Sequence, residues 1–142
     1  MNKHRLRTLQ KFLRTKVNPD RFDMEEWAGE IKNGKPACGT SACALGWATT
    51  IPSFRKAGLR MTKTKQIGYI YVTITGMRHN YTKEQYSSHV SLHRSLKAAM
   101  KFFDITYTEA DYIFANDVYT CGQEGIELAI GRIEDVLDNE IL

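Results

Sequence analysis

Ile67-Gly68-Tyr69-Ile70-Tyr71-Val72-Thr73-Ile74-Thr75 alternates with a period of two. β-Branched and aromatic residues dominate it; Ile70, Val72 and Ile74 fall on one side, Tyr69, Tyr71 and Thr73 on the other. That pattern predicts a half-buried strand. The segment Gly58 to Lys65, with Leu59 and Met61 as its apolar positions, supplies a partner across a turn near Lys63 to Gln66. That turn lacks an Asn-Gly signature, which leaves the register open.

Outward from this ribbon the period becomes helical. Leu6, Leu9 and Leu13, with Phe12 beside them, mark an amphipathic helix over residues 3–16, ended by Asn18-Pro19-Asp20. Asp23 is a plausible N-cap for a second short helix with Met24, Trp27 and Ile31 inward, Glu26 at the capping-box position and Asn33-Gly34 as the stop. After a loop over 35–41, Thr40 or Ser41 caps a third helix from near Ala42 to Thr50, with Pro52 at its end. Residues 77–90 are polar and irregular. Leu92, Leu96, Ala99 or Met100, and Phe103 then share a helical face. Thr108 caps a short helix carrying Ala110, Ile113 and Phe114. A last helix from about Glu124 to Leu142 has the stripe Ile126, Ile130, Ile133, Leu137 and Ile141. Strands do not alternate with helices, so the expectation is α+β: one mostly helical domain over 1–142 with one β-hairpin or small antiparallel sheet.

The 142 residues are the length of one ordinary domain, and 42% hydrophobic content is enough for a core. No apolar run approaches the roughly 18 residues that cross a bilayer. The positive N-terminus has no apolar segment behind it, so secretion and membrane insertion are disfavoured and a cytoplasmic protein is expected. Three cysteines make no disulfide scaffold.

The net charge of +4 is unevenly spread. Residues 1–103 hold 19 of the 20 cations and six acids, a net +13, and residues 104–142 hold Arg132 and ten acids, a net −9. Either the acidic tail packs on the basic part and cancels it, or an uncovered basic surface meets an anionic partner. Lys3, Arg7, Lys11 and Arg14 form one basic stripe. Residues 53–103 carry ten cations against Glu84, interleaved with tyrosines. Arg60, Lys63, Lys65 and Arg78 can meet phosphates while outward-facing Tyr69 and Tyr71 stack on bases. No sequence motif for nucleic-acid or phosphate binding accompanies them.

Cys38-Gly39-Thr40-Ser41-Ala42-Cys43-Ala44-Leu45-Gly46-Trp47-Ala48 is the most distinctive stretch. Cys43 falls in the first turn of a predicted helix, where unpaired N–H groups lower a thiol pKa, one requirement of a nucleophile. Its base would be His79, His89 or His93. The bland reading makes Cys43 a small buried apolar residue and Gly46 a point of close approach. Cys38, Cys43, His89 and His93 would suit tetrahedral zinc chemically, with Cys121 as a spare, but 45 residues separate the pairs.

This motif, preceded by Phe22-Asp23-Met24 with Trp27, resembles a group of small bacteriophage and bacterial proteins. Ala98-Ala99, Phe102-Phe103-Asp104-Ile105-Thr106, Glu109-Ala110 and Ile113-Phe114 belong to the same likeness. The resemblance implies a phage or prophage setting, hence the cytoplasm of a host cell, and brings no established activity or catalytic role. Small accessory proteins of that kind often inhibit or sequester host components, which is an association and not a physical argument. The first expectation is therefore a non-enzymatic protein that binds an anionic partner: nucleic acid, a nucleotide-like signal or an acidic host-protein face. The rivals are a cysteine enzyme built on Cys43 and a structural or interaction module.

Overall fold

The computed structural model describes residues 1–25, 27–64, 68–78, 88–115 and 121–139, with backbone alone for 88–90. Its elements are α1 (Lys3–Thr15), a 3-10 turn (Pro19–Arg21), β1 (Ile31–Lys32), β2 (Lys35–Pro36), α2 (Ala44–Ala48), α3 (Pro52–Lys56), β3 (Leu59–Lys63), β4 (Ile70–Ile74), α4 (Ser88–Phe103), α5 (Tyr107–Phe114) and α6 (Gly122–Leu137). The fold is α+β, with two antiparallel two-stranded sheets, β1–β2 and β3–β4.

The alternating stretch is β4, paired with β3 so that Met61 faces Val72 and Thr62 faces Tyr71. Leu59, Met61 and Val72 are buried. Met61 and Val72 form a pair whose N–H groups point away from each other, and both find acceptors. Met61 donates to the Gly34 carbonyl at 2.7 Å, and Val72 donates to Ser95 Oγ of α4 at 2.9 Å. The β1–β2 turn and α4 thus flank the ribbon. Phe54 of α3 meets Phe102 and Phe103 of α4 edge-on at 4.8 and 5.8 Å, and Phe103 stacks on Phe114 of α5 at 5.5 Å.

The expected helix over 23–31 does not form among the described residues. Phe22, Asp23 and Ala28 instead make single bridges to Ala42 and Cys121, and Asp23 Oδ1 accepts the Glu25 N–H in a local turn. Met24 and Trp27 are buried as expected, by a different backbone. Asn33-Gly34 ends no helix. Both residues have positive φ, 55° and 75°, and close the β1–β2 hairpin, a use of Asn-Gly that the helical reading overlooked. Pro52 opens α3 and does not merely end α2, because its fixed φ suits a first helical turn. Thr106, not Thr108, caps α5, through a capping box with Glu109. Cys43 is itself the N-cap of α2, in place of Thr40 or Ser41.

The acidic C-terminal helix packs on the basic N-terminal one. Ile126, Ala129, Ile133, Val136 and Leu137 of α6 are buried, while Ile141 lies outside the described residues. Arg7 pairs with Glu134 at 2.6 Å. Buried Gln10 donates to the same carboxylate at 2.9 Å and to the Ile130 carbonyl at 3.1 Å. The Gln10 hydrogen bond, then Arg7, hold the Glu134 carboxyl below its usual range. A carboxyl with a lowered folded pKa stabilises the fold above its unfolded value and loses that stabilisation as pH falls. Thermal melts should therefore show Tm dropping below about pH 4.3, where an ordinary glutamate protonates, and Glu134→Gln should flatten that part of the drop.

Candidate functional site

The cysteine motif is built for close packing. Cys43 is fully buried, and its Sγ accepts the Gly46 N–H at 3.5 Å. Burial pushes the thiol up to about 12 despite the backbone donors around the sulfur. The first-turn position was expected to do the reverse; desolvation of a thiolate outweighs the donors here. Burial and the raised thiol pKa give no support to Cys43 as a nucleophile and agree with its reading as a small buried apolar residue. A Cβ on Gly46 would lie 2.0 Å from the Trp27 carbonyl oxygen, so glycine is required by the chain crossing α2. Trp47 Nε1 donates to the Arg21 carbonyl at 3.0 Å, and Ala42 bridges to both Phe22 and Ala28. Ala42, Cys43, Gly46 and Trp47 are thus accounted for by this crossing.

The weak zinc candidates can be followed only in part. Among the described residues no group of three or more His, Cys, Asp and Glu is placed to hold a metal. Cys38 and Cys121 are exposed, while Cys43 is enclosed. α4 does reach back to residue 89, as a shared face with His93 requires, but the His89 side chain lies outside the description, as does His79. His93 is exposed and stacks on Tyr107 of α5, with centroids 6.1 Å apart.

The basic candidates separate into two groups. Lys3, Arg7, Lys11 and Arg14 lie exposed along α1, where Arg7 is committed to Glu134 of α6. Arg60, Lys63 and Arg78 are exposed on or beside the β3–β4 ribbon, and Tyr69 is 37% exposed. Tyr71 is half-buried, which corrects its expected free exposure: the buried Arg94 guanidinium lies 4.8 Å from its ring centroid. Lys65 lies outside the described residues. No local pattern marks Arg94 as buried; in sequence it resembles a surface cation. Arg55 is structural, donating to the Asn33, Gly34 and Thr49 carbonyls. One legible signal had been missed: no Asp or Glu occurs between Glu30 and Glu84, so the ribbon and its flanks contain no acid.

Two measurements check this assignment. A thiol reagent at pH 8 should modify two cysteines quickly, Cys38 and Cys121, and the third only on unfolding. Gly46→Ala should destabilise the protein by roughly 3 kcal/mol or more in denaturant titration, because the obstructing atom is backbone. No family model matches the sequence, and comparison with curated proteins and with solved structures finds no match.

Proposed function

We propose that this chain is a non-enzymatic binding protein, of the small accessory kind its motif resembles, that holds an anionic partner on the outer side of the β3–β4 ribbon. Separation of charge carries this reading. The acids concentrated after residue 103 include Glu134, which sits on α1 and partly answers that helix's cations. Exposed Lys56, Arg60, Lys63 and Arg78 lie in a stretch with no carboxylate of its own. A cluster of one sign attracts and steers the other. Nucleic acid, a nucleotide-like signal and an acidic face of a host protein all supply the required charge. A cysteine enzyme has less support, because Cys43 is enclosed and protonated.

Retention on immobilised heparin tests the reading. The protein should elute at a salt concentration well above that of an Arg60→Glu/Lys63→Glu variant, since contacts to a polyanion weaken steeply with salt. Lys3→Glu/Lys11→Glu makes the same change in net charge and should shift elution less. Equal shifts from the two variants would show that net charge alone is read and would remove the ribbon as the site.

A further inference from the structure

The ribbon bears an aromatic ring presented from a fixed backbone. Among the described residues, Tyr69 is one of four large apolar side chains that are exposed. Thr64 donates its N–H to the Tyr69 carbonyl at 2.9 Å, Tyr69 donates its own N–H to Thr64 Oγ1 at 3.0 Å, and Gly68 donates to the Thr64 carbonyl at 3.0 Å. Thr64 is itself buried. These bonds extend the β3–β4 ladder by one pair, so Tyr69 stands on the same side as Thr62, Tyr71, Thr73 and Arg60. Tyr69 and Tyr71 are then two residues apart on one face, about 6.7 Å along the strand. Arg94, lying against the Tyr71 ring, holds the second aromatic in place.

Cations alone would meet any polyanion. A fixed, exposed ring among them selects further, because it can stack only on a base whose π-face is open. Duplex bases present edges to the grooves and hide their faces in the stack. We infer that the ribbon's outer face takes single-stranded nucleic acid in preference to duplex, with Tyr69 stacking on an unpaired base while Arg60, on the same face, meets a nearby phosphate. This rests on the anion-binding reading above.

The test is fluorescence anisotropy at one salt concentration with three probes: an oligothymidylate of about 15 nucleotides, a duplex of the same length, and labelled heparin. Oligothymidylate should bind more tightly than the duplex. Tyr69→Ala, verified as folded by circular dichroism, should weaken oligothymidylate binding about tenfold with its salt slope unchanged, and should leave duplex and heparin unaffected. Tyr69→Phe should retain the affinity. If duplex and heparin bind with salt dependence but Tyr69→Ala leaves oligothymidylate unmoved, or weakens all three alike, the single-strand preference is wrong and anion binding stands. If none of the three probes binds, both readings fall.

Discussion

Close approach of Gly46 to the Trp27 carbonyl is the constraint on which the arrangement of this chain depends. Helix α2 lies beneath the segment 21–28 with no room for a side chain between them. The sulfur of Cys43 occupies the helix entry, Ala42 bridges to Phe22 and to Ala28 of the crossing segment, and Trp47 ties its indole to Arg21. Small or unusually shaped residues are needed because each sits where two backbones meet. The crossing segment also reaches the far end of the chain: Gly122, at the start of α6, donates to the Phe22 carbonyl at 2.9 Å. Single bridges and hydrogen bonds of one segment thus link the motif and the start of the last helix.

The other residues of the distinctive sequence pattern share this character. Phe22, Met24, Trp27, Ala98, Ala99, Phe102, Phe103, Ile105, Ala110, Ile113 and Phe114 are all buried. Asp104 takes a positive φ of 52° just after α4, and Thr106 with Glu109 caps α5. A pattern made of core, turn and cap residues specifies a backbone. The exposed cations of the ribbon lie outside this pattern.

Periodicity made the ribbon, α1 and most of α4 and α6 legible, because each buries one face and leaves the other in water. It failed over 23–36, where buried Met24 and Trp27 at a spacing of three imitate a helix. That segment is held by single bridges to Ala42 and Cys121, partners distant in sequence, and no local pattern encodes such contacts. The two readings of Cys43 stay unseparated in the sequence for a related reason. Helix-start electrostatics are visible in a sequence, but desolvation depends on what covers the group. Arg94 likewise looks like a solvent-facing cation until the Tyr71 ring is in place beside it. The basic half of the candidate site was legible from charge, whereas the pairing that separates α1 from the ribbon required Glu134 to be located.

Both sides of the β3–β4 ribbon are occupied at their midpoint, on one by the Gly34 carbonyl and on the other by the Ser95 hydroxyl. A two-stranded sheet otherwise offers rows of unsatisfied N–H and C=O groups on which a peptide or another copy of the chain can build a further strand. At Met61 and Val72 that mode of recruitment is closed. It would require displacing the Asn-Gly turn or pulling α4 away from the β4 backbone. What the ribbon leaves open at this point is its side chains, not its backbone. The same occupation protects the chain from edge-to-edge aggregation at the segment whose β-branched, aromatic and uncharged composition would most favour it.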